Sequence, residues 1–305
     1  MTELVNGLKD ALEYTRLYRE QTFVLKLGGE VLSSPEALDN VAVQVALLES
    51  LSIRVLVVHG GGPQASALSR KMGLEPEMVA GRRVTSPEVL EVAKMVYGGQ
   101  INVDVVAALR GHGVSSVGLT GIDAGLVTVH RRPPVEVTDD DDVTRTVDYG
   151  EVGDVDSVDT RLLDVLLPRG HVPVVASLAA DPEGRIMNVN ADTLAAALAG
   201  ALGAQKLIYM TGAPGLLRDP KDHSSLVAFA APEDLQALLA NKSVKGGMRP
   251  KVEACLKAVG SGVRRTHIID GRTPDALLLE LFTGGGSGTM IVGEREKRTY
   301  ETAGR

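Results

Sequence analysis

Two glycine runs, each placed directly after an apolar run, set the strongest constraint on the fold of this chain. Gly28-Gly29 follows the apolar run 23–27, and Gly60-Gly61-Gly62-Pro63 follows the run 55–58 and His59. Short apolar runs that end in glycine are typical of buried parallel strands. Glycines let backbone N–H groups approach an anion closely, and Pro63 suits the first turn of a helix. The sequence therefore predicts two strand–turn–helix units, each with a candidate phosphate-binding turn.

Neither turn matches the common nucleotide-binding fingerprints. The chain contains no G-x-x-x-x-G-K-[ST] and no G-x-G-x-x-G, which are the patterns of P-loops and of dinucleotide-binding folds. A glycine run after a strand is also an ordinary tight turn. The glycines alone therefore leave a structural and a phosphate-binding interpretation open.

Composition narrows the fold class and the kind of partner. Of the 305 residues, 44% are hydrophobic and only 3% aromatic, which favours α/β layers in two lobes over an all-β sandwich. The net charge is −7 without a basic block, which argues against nucleic acid as a partner. We find no secretion-like start and no apolar stretch near the ~18 residues of a membrane span, so we expect a cytoplasmic protein without a membrane partner. The single cysteine, Cys255, lies in an apolar-periodic run and is expected in the core.

Strand and helix patterns alternate in two series, which is typical of a parallel sheet with helical crossovers. The predicted helices are 35–50, 63–72, 87–98, 101–112, 192–202, 232–240, 249–259 and 274–282. The predicted strands after the first two are 114–119, 172–178, 206–210, 267–269 and 289–292. The sequence thus predicts an α/β fold with a central, mostly parallel sheet.

Two further segments frame this alternation. Apolar periodicity over 3–18 predicts an amphipathic helix ahead of the first strand. The stretch 126–150, with its acid run Asp139–Asp142, is expected to be a solvated surface excursion. Metal binding by these aspartates is the weaker alternative, because adjacent carboxylates on an extended chain point to opposite faces. We predict an N-terminal helix in 1–20 and two lobes in 21–183 and 184–305.

Three charged residues carry the chemistry. Lys26 ends the first strand, Lys251 opens a predicted helix after a glycine pair, and Asp192 opens another helix. Each has a plain interpretation, as a solvated lysine or an N-cap aspartate. Together with the glycine turns, they supply two cations for phosphate charge and one carboxylate to orient them. Phosphoryl transfer by positioning and electrostatics requires this set of groups.

At these residues the sequence resembles the amino-acid kinase family, and within it the acetylglutamate kinases. The matching segments are K-L-G-G (26–29), H-G-G-G-P (59–63), G-R-R-V-T (81–85), N-V-N-A-D (188–192), K-L-I-Y-M-T (206–211), G-G-M-R-P-K-V-E (246–253), H-I-I-D-G-R (267–272) and L-L-E-L-F-T with G-S-G-T-M-I (278–291). They span nearly the whole chain in family order. The resemblance implies a three-layer αβα sandwich with an amino-acid lobe followed by a nucleotide lobe.

The resemblance also implies roles at the matching positions. The acceptor would be the side-chain carboxylate of N-acetyl-L-glutamate, and the donor ATP with nucleotide-bound Mg²⁺, with no metal held by the protein alone. The residues implied are Lys26, Lys251 and Asp192 for catalysis, Gly28, Gly29, Gly61 and Gly62 for the phosphoryl group, Arg83 for the α-carboxylate, Asn188 for the acylamino group, and Thr211 and Gly247 for the nucleotide.

The N-terminal helix resembles the extra helix of the arginine-inhibited, hexameric members of this family. That likeness implies a homo-oligomer, a dimer or a hexamer, with arginine as inhibitor. Its binding site would be formed by Tyr14, His267, Glu280 and Ser287. Plain helix packing for Tyr14 and an exposed helix charge for Glu280 are the alternatives.

Three positions depart from the family pattern, and three other functions compete. Gly212 stands where an aspartate usually follows Thr211, and Ile122 and Gln100 replace frequent lysines. A kinase of N-blocked α-aminoadipate is the nearest alternative, because one methylene changes binding by only about 1–3 kcal/mol. A non-catalytic arginine-sensing subunit is disfavoured by the presence of all three charged residues. A nicotinamide dehydrogenase would need the missing glycine fingerprint.

Overall fold

The computed structural model describes most of the chain. The described residues are 12, 14–79, 81–138, 144–219, 222–241, 244, 247–283 and 286–293. Most of the predicted N-terminal helix and the run Asp139–Asp142 lie outside them. Of that helix, Leu12 and residues 14–18 are described, and they are helical.

A mostly parallel sheet of eight strands forms the centre of the described residues. Its strands are β1 (Thr22–Leu27), β2 (Arg54–His59), β5 (Ser116–Thr120), β10 (Val172–Ala176), β13 (Lys206–Thr211), β14 (Phe229–Ala230), β15 (Arg265–Asp270) and β16 (Thr289–Ile291). Their order in the sheet is β14-β16-β15-β13-β1-β2-β10-β5. β1 pairs in parallel with both β13 and β2, and β16 runs antiparallel to β15.

Helices cover both faces of this sheet and give a three-layer fold. They are α1 (Gly29–Leu32), α2 (Pro35–Ser50), α3 (Gly62–Lys71), α4 (Pro87–Ala93), α5 (Asn102–Gly111), α6 (Arg161–Leu166), α7 (Ala191–Ala201), α8 (Pro232–Ala240), α9 (Met248–Gly260) and α10 (Ala276–Phe282). Side chains cap several of their first turns: Ser34 accepts from the Ala37 N–H, and Asn190 accepts from the N–H groups of Asp192 and Thr193. The predicted α/β class and parallel sheet are confirmed.

The alternation of side chains along β1 separates two cores and orients Lys26. Phe23, Leu25 and Leu27 pack into the core that also contains α2, whereas Val24 packs into the core that contains α7. Because side chains of a strand alternate between its faces, Lys26 points to the same side as Val24. This places the lysine next to the first turn of α7.

Smaller strands surround the end of the sheet where the glycine turns lie. β6 (Val127–Arg131), β9 (Val152–Val158), β11 (Leu178–Ala180) and β12 (Ile186–Val189) close a small barrel. β3 (Met78–Val79) pairs with β4 (Arg82–Arg83), and β7 (Val135–Thr138) pairs with β8 (Thr144–Val147). No helix among the described residues is long and apolar enough to cross a membrane.

The structure corrects three of the predicted elements. The helices 87–98 and 101–112 are one helical run, because a π-helical segment, Lys94–Ile101, joins α4 to α5 across Gly98 and Gly99. The strand 172–178 divides at Ser177, where the chain leaves the sheet for the barrel. The excursion 126–150 is not wholly solvated, since Val127 and Val129 are buried in β6. The boundaries 21–183 and 184–305 of the two lobes remain a prediction.

Candidate active site

The predicted catalytic residues line one pocket at the carboxyl ends of β1 and β2. Its walls comprise residues 26–30 at the end of β1 and the start of α1, 60–63 after β2, 188–192 where β12 joins α7, and Lys251 on α9. Ligands of parallel sheets bind at this end of the strands, where successive loops meet.

A buried carboxylate lies between two lysines at the base of the pocket. The Lys26 Nζ atom is 2.7 Å from Asp192 Oδ1, and the Lys251 Nζ atom is 3.5 Å from Asp192 Oδ2. The side chains of Lys26 and Asp192 are only 9% and 7% exposed. Burial by itself raises the pKa of Asp192, but the charges of Lys26 and Lys251 outweigh it and hold that pKa below its ordinary value. Asp192 is therefore ionised at neutral pH and fixes both lysines.

Three separate elements bring these groups together. The Asn190 side chain caps α7 and so places Asp192 in the first turn. The Tyr209 hydroxyl of β13 donates to the Asp192 carbonyl oxygen at 3.2 Å. Lys251 lies in the first turn of α9, where its Nζ atom donates to the Gly247 carbonyl oxygen at 3.4 Å.

The second glycine turn requires glycine at one position above all. Gly61 has φ of 152°, and a Cβ atom there would collide with the side chains of Ile101 and Tyr97. Gly62 begins the ten-residue helix α3, whose first N–H groups have no partner within the helix. Such a helix start is a favourable place for an anion.

The first turn engages Gly28 in a backbone hydrogen bond. The Gly28 N–H donates to the Met210 carbonyl oxygen at 2.8 Å, which continues the pairing of β1 with β13. That N–H already has a backbone partner here, so the expected donor role of Gly28 toward a phosphoryl group stays a prediction. Gly29 lines the same pocket, and a Cβ atom there would lie 2.7 Å from Pro63 Cδ, so the two turns pack closely against each other.

A buried histidine and an asparagine support the second turn, and neither was predicted from the sequence as a site residue. The His59 Nδ1 atom lies 2.9 Å from the Gly60 carbonyl oxygen, and its Nε2 atom lies 3.1 Å from Asn102 Nδ2. Burial lowers the pKa of His59 to about 4, so the ring is neutral. The neutral ring donates through Nδ1 and accepts the Asn102 amide through Nε2. The available signal was a polar residue, His59, at the end of an otherwise apolar strand.

Arg83 is buried in the pocket wall, where its guanidinium also interacts with the hydroxyl of Tyr97. Its Nη2 atom donates to the Gly62 carbonyl oxygen at 2.5 Å and to Ser66 Oγ at 2.6 Å. Its Nη1 atom is buried and makes no hydrogen bond of normal geometry within the described residues. A buried donor without a partner is costly, and an anionic ligand would satisfy it. Asn188, on β12, lines the same pocket and donates through Nδ2 to Thr85 Oγ1 at 3.1 Å.

Several lining residues, among them Arg132 and Ser177, were not predicted from the sequence. Arg132 lines the pocket, and its Nε atom donates to Asp154 Oδ2 at 3.0 Å. Its guanidinium also lies over the Tyr149 ring, 5.6 Å from the ring centre. Ser177 reaches the pocket because the chain changes sheets there. Neither belongs to a local motif, so only the tertiary fold identifies them.

Thr211 and Gly247 lie outside the pocket lining. The Thr211 hydroxyl donates to the Ala213 carbonyl oxygen at 3.1 Å and accepts from the Ala213 N–H at 2.9 Å. It therefore stabilises its own turn. Among the described residues, no group of three or more side chains is arranged to hold a metal ion.

The four residues assigned to arginine lie along one continuous set of contacts. Tyr14 stacks on Tyr18 at 5.9 Å, and the Tyr18 ring lies 5.2 Å from the Lys206 Nζ atom. Lys206 Nζ lies 3.1 Å from His267 Nε2, and His267 Nδ1 lies 2.6 Å from Glu280 Oε1. Glu280 Oε2 accepts from the Ser287 N–H at 2.6 Å.

Burial sets the charges in this second cluster. It lowers the pKa of His267 to about 4, so His267 is neutral, accepts from Lys206 and donates to Glu280. Burial opposes the charge of Glu280, but the hydrogen bonds from His267, Ser287 and Gly288 hold the pKa of Glu280 below its usual value. The alternative of an exposed helix charge at Glu280 is wrong, because this residue is only 8% exposed.

Comparisons with known proteins agree with this geometry. The sequence profile of the amino acid kinase family matches residues 21–270. An acetylglutamate kinase from Myxococcus xanthus is 45% identical over 300 residues, which cover 98% of this chain and 97% of that protein. An acetylglutamate kinase from Methanothrix thermoacetophila is 42% identical over 284 residues, 93% of this chain and 96% of that protein.

Solved structures show the same fold. The N-acetylglutamate synthase from Neisseria gonorrhoeae, complexed with coenzyme A and N-acetyl-glutamate, superposes with a TM-score of 0.81 at 28% identity. The match covers 95% of this chain and 63% of the synthase, so the chain spans less than two thirds of that enzyme. The same synthase complexed with coenzyme A and L-arginine gives a TM-score of 0.79 at 25% identity, over 95% of this chain and 65% of the synthase.

We predict that Gly61→Ala destabilises the fold by about 1–3 kcal/mol, because alanine must adopt an unfavourable φ and its Cβ collides with Ile101 and Tyr97. Denaturant unfolding monitored by circular dichroism measures this change. Gly62→Ala is the matched control, since Gly62 is helical and no atom approaches its Cβ position more closely than 3.8 Å. Equal stability of the two variants would contradict the argument.

Proposed function

The chain belongs to the amino acid kinase family, and from that premise we propose that it phosphorylates the side-chain carboxylate of N-acetyl-L-glutamate with ATP, as a step of arginine synthesis. The observation that carries the proposal is the buried Asp192 between Lys26 and Lys251, at the base of a pocket whose wall holds Arg83. The name and near full-length similarity of the relatives support the choice of substrate.

The proposed reaction needs no nucleophile from the protein. An oxygen of the substrate carboxylate attacks the γ-phosphorus of ATP and forms a new O–P bond. The bond from that phosphorus to the β–γ bridging oxygen breaks, and ADP leaves with the electron pair. No proton has to move. Catalysis therefore depends on holding the two substrates in line and stabilising the negative charge on the transferred group.

The pocket residues meet these requirements. Lys26 and Lys251 supply two positive donors, and Asp192 orients them without neutralising both. Gly29, Gly61 and Gly62 lie where the two turns meet and would contribute backbone N–H groups to the phosphoryl site. A fixed donor set of this kind stabilises developing charge without reorganisation.

A magnesium ion fits this site only together with the nucleotide. The carboxylates that line the pocket within the described residues are Glu30 and Asp192, and Asp192 is engaged by two lysines. Magnesium is usually held by one or two carboxylates and by substrate phosphates. When bound there, it would shield the phosphate charge. Thr211 and Gly247 remain candidates for nucleotide contacts.

The opposite wall suits the amino-acid end of the substrate. The guanidinium of Arg83 presents a buried Nη1 donor that the α-carboxylate would satisfy, and its planar fork matches a carboxylate. Asn188 would bind the acylamino group from β12. In this arrangement the lobe 21–183, together with Asn188 at the start of the following lobe, holds the amino acid, and the rest of the lobe 184–305 holds the nucleotide.

We expect Lys26→Ala and Lys251→Ala each to lower kcat by about 10²–10³-fold, because each removes a fixed positive donor from the transferred phosphoryl group. ADP release with N-acetyl-L-glutamate measures this loss. Lys257→Ala, an alteration further along α9, is the control and should retain activity. Near-normal kcat in both variants would refute the assignment.

Arg83→Lys should raise KM for N-acetyl-L-glutamate about tenfold and leave KM for ATP nearly unchanged. A lysine replaces a two-pronged donor with a single charge, and the nucleotide contacts lie elsewhere. Steady-state kinetics with each substrate varied in turn distinguish the two constants. A change confined to ATP would mean that the lobes are assigned in the wrong order.

We also propose that arginine inhibits the enzyme at the cluster of Tyr14, His267, Glu280 and Ser287. The cluster joins the N-terminal helical segment to β13, β15 and α10, and Glu280 offers the charge that a guanidinium needs. Leu12 and Leu17 are 53% and 56% exposed on that segment, which favours its packing in a homo-oligomer, a dimer or a hexamer. A structural neighbour was solved with L-arginine.

Glu280→Gln should raise the half-inhibitory arginine concentration about tenfold or more while kcat stays within about twofold, because it removes the charge but keeps the shape. Inhibition curves measure the first quantity, and light scattering should show an unchanged oligomer size. Glu91→Gln, on the exposed side of α4, serves as the control. Unchanged inhibition in Glu280→Gln would refute the proposed site.

A further inference from the structure

One ion pair connects the hairpin of the substrate wall to the helix that carries Lys251. The Arg82 Nη2 atom of β4 donates to Glu253 Oε2 of α9 at 3.1 Å. The other oxygen of this carboxylate, Oε1, accepts from Arg249 Nε at 3.2 Å within α9. Both oxygens of Glu253 are thus engaged, one within its own helix and one across the pocket mouth.

The two ends of this pair lie next to groups that the proposed reaction uses. Arg82 precedes Arg83 in β4, and successive residues of a strand point to opposite sides. Arg83 is buried in the pocket wall, whereas the Arg82 side chain is 34% exposed and reaches α9. A ligand that shifted Arg83 would therefore shift Arg82 as well, because the two residues are consecutive in one short strand.

Glu253, like Arg82, is close in sequence to a residue that the proposed reaction uses, because it lies on the same helix as Lys251. The two residues lie two positions apart in α9, and a helix of 13 residues moves as a rigid unit. Lys251 contacts Asp192 at 3.5 Å, a looser contact than the 2.7 Å between Lys26 and Asp192. Lys251 is thus the lysine whose position depends more on where α9 lies.

We infer that Arg82 and Glu253 form a positioning pair, which couples the binding of the amino-acid substrate at Arg83 to the placement of Lys251 for phosphoryl transfer. This inference rests on the proposed function. Arg82 itself lines the pocket, but neither residue is among those assigned to the reacting groups. Both act through their neighbours, by holding the hairpin β3–β4 and helix α9 in one relative arrangement.

The exposure of the pair sets the size of the expected effect. Side chains that are 34% and 37% exposed are partly screened by solvent, so loss of the pair should change binding by about two- to fivefold and not abolish it. The effect should also weaken as salt is added, because exposed ion pairs are screened by ions.

The inference is tested by measuring how much the binding of one substrate changes the affinity for the other. Isothermal titration gives the dissociation constant of a non-hydrolysable ATP analogue with Mg²⁺, in the absence and in the presence of saturating N-acetyl-L-glutamate. The ratio of the two constants is the coupling factor, and it is reciprocal between the ligands. The proteins compared are wild type, Arg82→Gln, Glu253→Gln, the double variant and Arg131→Gln.

Arg131→Gln is the matched control. Arg131 donates through Nη2 to Asp148 at 3.0 Å, and the two side chains are 38% and 49% exposed, but neither contacts α9. We expect the coupling factor to fall about two- to fivefold in each single variant of the pair, and no further in the double variant. It should be unchanged in Arg131→Gln, and kcat/KM for N-acetyl-L-glutamate should follow the coupling factor.

Each outcome separates this inference from the proposed function. The positioning pair alone would be overturned if the wild type releases ADP with N-acetyl-L-glutamate and if Arg82→Gln and Glu253→Gln both have the coupling factor of the wild type. Additive losses in the double variant would overturn it too, because they would show that the two residues act independently. Wild type without N-acetyl-L-glutamate-dependent ADP release would overturn the proposed function, and the inference with it.

Discussion

The pairing of buried Asp192 with two lysines is the interaction on which the rest of the site depends. A buried carboxylate is costly unless it is paired, and removal of one partner leaves charge without compensation. Here Lys26 comes from the central strand, Asp192 from the start of α7 and Lys251 from α9. The fold must therefore bring three elements that are distant in sequence to within hydrogen-bonding reach. That requirement explains why β1 lies in the middle of the sheet and why two helices begin at its carboxyl edge.

Backbone geometry around this charge cluster is fixed by small and polar residues and not by large apolar ones. Gly61 allows a turn that no residue with a Cβ atom fits, and neutral His59 holds the same turn from below through Gly60. Asn102 connects His59 to the carbonyl oxygen of Val174 on β10, at 2.9 Å. The second glycine turn is thus held in place by its own contacts, as catalysis by positioning requires of the groups that line the phosphoryl site.

Sequence periodicity predicted the parts of the fold that depend on local pattern. The strand 206–210 and the helix 232–240 are confirmed, because apolar spacing alone determines them. Sequence periodicity failed where tertiary packing determines the local structure. Gly98 and Gly99 favour a helix end. The chain nevertheless stays helical there through a π-helical segment, in which Val96, Tyr97 and Ile101 are buried. The site shows the same contrast between local pattern and tertiary contacts. Lys26 and Asp192 belong to local motifs. Arg132 reaches the pocket, and Glu280 becomes buried, only through partners elsewhere in the sequence.

One strand links the two charge clusters of the molecule. β13 begins at Lys206, which contacts His267 and the Tyr18 ring, and ends near Met210, whose carbonyl oxygen accepts from Gly28 in the first glycine turn. Between them, Tyr209 donates to the backbone of Asp192. A ligand that changed the charge balance around Lys206 and His267 would therefore act on a strand that also contacts the backbone of Asp192. Coupling requires such a ligand to favour one arrangement over another, and at the proposed arginine site the guanidinium would have to do so through Glu280.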